Sequence, residues 1–376
     1  MENVNSVCFI AKIVEINPII GADNIELALL NGWSCVVKKD AHKTGDLVVC
    51  AITDAMIPNS LSEELGVTNY LRKGERVRTV KLRGVYSECL IIPLSFIQKY
   101  TGDTTFEGKD MMSVLGITKY EPPVKMVRLS NGKIKKYSEN PNFSIYYKFP
   151  NFKNVPNIFD ESDMVEITRK IHGTNARYGF VKRHKKSLWN KIKHFFGLLK
   201  LWDDYEFVVG SHNVEKGSDT QGFYDKNVWF DIEKKYDIKK KLIDFVKSLN
   251  PNDVKNGVSI YGEIYGAGIQ VNYDYGLNDI EFKVFDVKID TDYSETSLSK
   301  KICEQIGLPY IDVLYVGKWN KTIQDSFVLN NFIEGTKIPH EGIVVKSVTG
   351  VRNKVAKVIN PDYLIYGEKN NVGDSH

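Results

Sequence analysis

The string Lys170-Ile171-His172-Gly173-Thr174-Asn175 sets a primary amine next to a glycine-containing turn. An amine so placed can attack an electrophile, but only in its neutral form. A free lysine has a pKa of about 10.4, so the attack needs a fixed backbone and neighbours that lower proton affinity. Two downstream carboxylates sit in otherwise apolar strings, Glu263 in Val258–Ile264 and Glu341 ahead of Ile343-Val344-Val345-Lys346. A glutamate in such a setting costs several kcal/mol if left unpaired, so each requires a partner. Ion pairs to Lys346 or Lys357 are the purely structural account.

The elements that position these residues follow from alternation. Val165-Glu166-Ile167-Thr168-Arg169-Lys170 reads as a strand with Glu166, Thr168 and Lys170 on one face and Val165 and Ile167 on the other. Val258–Ile264 reads as a second strand, placing Glu263 opposite the face of Val258, Ile260 and Ile264. Glu281–Val287, His340–Lys346 and Lys354–Ile359 read as further strands. Glu341 and Lys346 are five residues apart, so a flat strand aims them at opposite faces, and Gly342 offers a bend that brings both to one site. One helix is predicted over Ile232–Leu249, with lysines on its exposed face.

Upstream, short strands alternate with turn signals from Val7 to about Leu94, as in a small barrel or sandwich. Arg72, Lys73, Arg76, Arg78, Lys81 and Arg83 crowd one part of it. They suit a solvated edge strand and a phosphate-tracking surface equally well. Glu121-Pro122-Pro123 and Asn140-Pro141-Asn142 mark a linker. The predicted organisation is therefore 1–120, a linker over 121–157, and a second domain over 158–376. Within the latter, residues 182–202 mix lysines with Trp189, Phe195 and Phe196, as in a basic amphipathic helix that either packs on its own domain or meets a membrane surface or nucleic acid.

At 376 residues the chain exceeds what one core usually supports. A net charge of +4 excludes a polyelectrolyte tail, so an acidic partner must be met by local patches. Five cysteines without a C-x-x-C pair point to buried reduced thiols, not to a zinc site. No stretch approaches the ~20 apolar residues that span a bilayer, which suggests an intracellular, cytoplasmic protein.

The ordered set of Lys170–Asn175, Gly262-Glu263-Ile-Tyr-Gly-Ala-Gly-Ile-Gln270, Val284-Phe285-Asp286, Glu341–Lys346 and Ala356-Lys357 resembles the covalent nucleotidyltransferase superfamily of ATP-dependent ligases and mRNA capping enzymes. The forms K-x-H-G-T-N and G-E-x-x-G-x-G-I-Q are most similar to RNA ligases. Gly21–Glu26 and Leu82–Ser87 are similar to the OB domain that precedes the ligase domain in RNA ligase 5 enzymes. The resemblance implies an α+β chain: an N-terminal OB-like β-barrel, then an adenylyltransferase (ATP-grasp-like ligase) domain of antiparallel sheets and helices. It implies ATP as cosubstrate, Mg²⁺ or Mn²⁺ as metal, and RNA as partner, with no membrane involved and the enzyme a monomer.

By the same resemblance, Lys170 attacks the α-phosphorus of ATP, while Lys346 and Lys357 neutralise the α-phosphate. Glu341 holds the metal, Glu263 accepts from the ribose hydroxyls, and Phe285 stacks on adenine. Ile171, Asn175 and His212 complete the nucleotide contacts. Three positions depart from the family pattern: Arg169 where glutamate is usual, His212 where arginine is usual, and Ile359 where some relatives carry a second lysine. A nucleic-acid-binding protein with a decayed ligase domain, and a DNA ligase or capping-type enzyme, are the alternatives. The resemblance further suggests nicked duplexes with RNA on the 3′-OH side.

Overall fold

A computed structural model of the chain describes residues 6–71, 76–98, 105–120, 140–184, 201–216, 227–348 and 354–372. The chain divides into two units. The first comprises Met1–Pro123, Pro150–Phe159 and Pro361–Ile365; the second comprises Val124–Phe149, Asp160–Asn360 and Tyr366–His376.

In the first unit, β1 (Cys8–Pro18), β2 (Ile25–Leu30), β3 (Trp33–Lys38), β4 (Leu47–Ile52) and β8 (Cys89–Pro93) form an antiparallel sheet in the order β3-β2-β1-β4-β8. Between Ile13 and Glu15 the register of β1 against β2 slips by one residue, a bulge that bends the long first strand. Alternate residues of these strands, among them Cys8, Ile10, Ala28, Val49 and Ile92, fill one apolar core. The pairs β5 (Ala55–Met56) with β9 (Thr118–Lys119) and β6 (Val80–Leu82) with β7 (Val85–Ser87) complete it. The turn of the last pair is Arg83-Gly84, both at positive φ, the geometry that matches strand twist in a two-residue hairpin.

The described members of the basic crowd stand in different settings. Arg76 donates to Asp54 Oδ1 at 2.6 Å and lies 3.9 Å from the Tyr120 ring centroid, so it is a fastener of this unit. Lys81 and Arg83 are exposed on the hairpin, whereas Arg72 and Lys73 lie outside the described residues. All five cysteines are free and buried, four of them here and Cys303 in the second unit.

The second unit holds two antiparallel sheets. The smaller is ordered β17-β10-β18-β19, from β10 (Met164–Lys170), β17 (Val313–Lys318), β18 (Gly342–Ser347) and β19 (Val355–Ile359). The larger is ordered β13-β12-β11-β14-β15-β16. It uses β11 (Thr174–Lys182), β12 (Tyr205–Gly210), β13 (Glu215–Lys216), β14 (Gly257–Gly266), β15 (Ile280–Ile289) and β16 (Asp292–Tyr293). One face of the larger sheet carries Ala176, Tyr178, Val258, Ile260, Ile264, Phe282 and Val284. It is buried beneath the helices Val228–Tyr236, Ile238–Ser248 and Thr296–Ile306. The opposite face is thereby left for polar work.

The predicted helix over Ile232–Leu249 is two helices. They meet at Asp237, whose φ of +51° turns the chain; aspartate is among the few residues that enter this region at modest cost. Most of the basic stretch 182–202 falls outside the described residues. Among the described residues no helix is long and apolar enough to cross a membrane.

Candidate active site

Lys170 is the last residue of β10, and the next three residues carry the chain from the smaller sheet into β11 of the larger one. The passage is tight. A Cβ on Gly173 would meet the Ile264 carbonyl oxygen at 2.2 Å, so only glycine lets the strands approach here.

Register fixes which side chains converge. Lys170 pairs with Gly342, Thr168 with Val344 and Glu166 with Lys346, while Val344 in turn pairs with Lys357. Cross-strand partners point to the same side, so Lys170, Lys346 and Lys357 share one face of the smaller sheet. From ladder spacings, the Lys357 Cα lies about 8 Å from that of Lys346 and about 12 Å from that of Lys170. The reverse face, with Val165, Ile167, Ile343 and Val345, is buried.

Glu341 immediately precedes β18, and Gly342 has a φ of +151°. A Cβ there would meet the Val358 carbonyl oxygen at 2.1 Å. The bend turns Glu341 toward Lys170, whose Nζ donates to Glu341 Oε1 at 2.5 Å. The two ends of Glu341–Lys346 nevertheless reach different partners. Lys346, 2% exposed, donates to the Phe285 carbonyl at 2.8 Å and lies 3.5 Å from Asp286 Oδ2. The ion pair of Glu341 is thus with Lys170, not with Lys346 or Lys357.

On the larger sheet Glu263 pairs with Asn175 on one side and Lys283 on the other, facing away from the helices. Its carboxyl is pushed up to about 8, first by burial and then by the nearby charge of Glu341. Lys170 and the Gly173 N–H oppose that rise without cancelling it. Asn175 Oδ1 is buried with no hydrogen-bond partner among the described residues, and so is Glu341 Oε2. Two orphaned acceptors on residues that neighbour Glu263 mark places for donors or a cation supplied from outside.

Phe285 owes its aim to a bulge. Tyr261 pairs with Asp286 and Gly262 with Val284, so Phe285 is the extra residue. It sits with Asp286 against Tyr146, whose ring centroid is 4.9 Å from that of Phe285 and whose hydroxyl donates to Asp286 Oδ2 at 2.9 Å. Ile171 is buried, and His212 lies in the turn after β12. Gly210 pairs with Arg177, so that turn stands at the Thr174 end of the sheet. Arg177 is 1% exposed and donates to the Ser211 carbonyl at 2.9 Å, fixing the residue beside His212. Arg169 points to the other face, where burial lowers its pKa and its Nη1 has no hydrogen-bond partner among the described residues.

Sequence reasoning missed Tyr146, Asp286, Tyr273 and Tyr275. Tyr146 falls in the stretch read as linker, where no periodicity marks a buried ring. Asp286 stands in a quoted motif, but its pairing with Lys346 spans two sheets.

A family model described as RNA ligase matches residues 163–359, and one described as an OB-fold domain matches residues 7–94. No curated protein matches the chain. Among solved structures, the chain is similar to a Naegleria gruberi RNA ligase mutant with ATP and Mn, at TM-score 0.70 and 22% identity over 96% of this chain and 99% of that one. It is also similar to the same ligase as another mutant with AMP and Mn, at TM-score 0.70 and 22% identity over 97% and 99%. A third, with PPi, gives TM-score 0.69 and 21% identity over 97% and 99%.

Proposed function

The chain belongs to the RNA ligase family, and from that premise we propose that it is an ATP-dependent RNA ligase whose nucleophile is Lys170. The observation that carries the assignment is the meeting of Lys170 Nζ with Glu341 Oε1 at 2.5 Å, beside the raised carboxyl of Glu263. In the first step the Lys170 lone pair forms an N–P bond to the α-phosphorus of ATP, the bond to pyrophosphate breaks, and the amine loses its proton. In the second, an RNA 5′-phosphate oxygen displaces Lys170 and takes AMP. In the third, a 3′-OH attacks that activated phosphate, joining the strands and releasing AMP.

Glu263 accepts from the ribose hydroxyls and Phe285, held on its bulge, stacks on adenine. Asn175 and Ile171 border the nucleotide, and His212 reaches a phosphate from its turn. Lys357 meets the α-phosphate, and Lys346 serves the same face of the sheet. Glu341 is the metal ligand, since its orphaned Oε2 is free for a cation while Oε1 holds Lys170. Among the described residues no cluster of three His, Cys, Asp or Glu side chains forms a cage, so Glu341 would hold Mg²⁺ or Mn²⁺ together with groups from outside the protein. The cation would offset triphosphate charge there, and with Glu341 engaged Lys170 would give up its proton more readily.

The favoured substrate is a nicked duplex with RNA on the 3′-OH side, sealed by a monomer in the cytoplasm. Incubation with labelled ATP and Mg²⁺ or Mn²⁺ tests the reading. Wild type is expected to form a denaturation-stable adduct, and Lys170→Ala is not. An adduct that persists in Lys170→Ala refutes the nucleophile. Equal sealing of an all-DNA nick refutes the substrate.

A further inference from the structure

We propose that Tyr275, acting through Tyr273, is a positioning residue for the attack by Lys170: the two tyrosines, packed on each other and each hydrogen-bonded to backbone, close a ring of contacts that holds the amine against Glu341. This rests on the reading of Lys170 as the nucleophile.

The ring can be followed atom by atom. From Lys170 the backbone runs through Ile171 to His172, whose N–H donates to the Tyr275 hydroxyl at 2.6 Å. Tyr275 packs in turn on Tyr273, their rings 4.9 Å apart and nearly perpendicular. The Tyr273 hydroxyl donates to the Pro339 carbonyl at 2.6 Å. Two residues on, Glu341 accepts from Lys170 Nζ, and the ring is closed. A separate strut from the same loop secures the far side: Gln270 Nε2 donates to the Gly173 carbonyl at 2.6 Å.

Burial and strain both single out this loop. Tyr273 is 1% exposed and Gln270 4%. Tyr275 has a φ of +61°, a region that a bulky L-residue rarely enters. Such strain persists where the surroundings over-determine it, and it gathers at functional sites. Tyr275 is partly buried, its ring packed against those of Tyr265 and Tyr273. What the conformation achieves is delivery of a hydroxyl to the loop that follows the nucleophile.

Lysine has four side-chain torsions, and a misplacement of about 1 Å costs on the order of 100-fold in rate. Fixing the turn after Lys170 and the residue that receives its amine in one ring removes that freedom. Removing either hydroxyl opens the ring, and in Tyr275→Phe it also leaves the His172 N–H without its acceptor.

The test compares wild type, Tyr275→Phe, Tyr273→Phe and Tyr265→Phe. Tyr265 packs 5.1 Å from the Tyr275 ring but makes neither of the two backbone hydrogen bonds. Two rates are measured: single-turnover formation of the Lys170 adduct across ATP concentrations, and ATP-independent sealing of RNA that already carries the 5′-adenylate. Tyr275→Phe and Tyr273→Phe are expected to lower the maximal adduct rate by about 10-fold or more, as for a mispositioned reactant. Half-saturating ATP and the sealing of adenylated RNA stay near wild type, and Tyr265→Phe matches wild type throughout. If Tyr275→Phe fails to fold, Tyr273→Phe carries the comparison. Adduct formation at the wild-type rate in a folded variant overturns the proposal. So does an equal loss of both rates, which marks a structural role. If wild type itself forms no adduct, the assignment of Lys170 falls first.

Discussion

Replacing Glu263 with glutamine should stabilise the protein at pH 8 and leave it unchanged at pH 4.5. Below pH 4.5 the carboxyl is protonated in both the folded and unfolded chain and contributes nothing to the difference. Between 4.5 and about 8 the unfolded chain ionises while the folded one stays protonated, so the fold loses stability as pH rises through that window. At 1.36 kcal/mol per pH unit the full rise corresponds to about 5 kcal/mol. Glu263 keeps part of its surface open, and water relaxes part of the penalty, leaving about 2 kcal/mol. That is roughly 4–8 °C in melting temperature for a unit of this size. Glutamine fills the same space without a charge to desolvate. The assay is thermal unfolding of nucleotide-free, metal-free wild type and Glu263→Gln at pH 4.5, 6, 7 and 8. The gap between them should open steadily with pH. A gap that is constant with pH, or a glutamine variant less stable at pH 8, would show that the carboxyl is not held protonated by its surroundings. Above about pH 8, where Glu263 is ionised, the same variant should bind ATP less well in a nucleotide titration, because a ribose hydroxyl donates more strongly to a carboxylate than to an amide.

Lys346→Met should cost about 3–5 kcal/mol by urea denaturation, because it leaves Asp286, 0% exposed, without its cation. Adding Asp286→Asn should recover part of that loss; a double variant no better than the single one would refute the pairing. Arg76→Ala should lower the stability of the first unit by about 1 kcal/mol through loss of Asp54 and Tyr120. It should leave Lys170 adduct formation unchanged, and a large drop in that rate would contradict the structural role.

Strands were legible wherever one face is apolar and the other is not. Val258, Ile260 and Ile264 do line the core with Glu263 opposed to them, because period-two burial is a local property. Phe285 was harder. Val284 and Val287 are both buried although three residues apart, since the bulge between them shifts the phase, and a bulge belongs to two strands and not to one. The partner of Glu341 was mistaken for the same kind of reason. Lys346 and Lys357 are close in sequence, whereas Lys170 becomes a neighbour only through the pairing of β10 with β18. Asp237 and Tyr275 adopt left-handed backbone for which their side chains give little local signal. Arg76 looked like a surface cation because nothing in its own strand announces Asp54.

The bond between Lys170 and Glu341 joins residues 171 apart in sequence. β10 is made well before both of its sheet neighbours, β17 and β18. Contacts of such long range are entropically slow to form. Until Gly342–Ser347 has emerged, β10 has no strand on its β18 side, and its lysine has no carboxylate to meet. On the reading of Lys170 as the nucleophile, a nascent chain holds that amine before it holds the group that positions it, and adenylation waits for β18 to pair with β10.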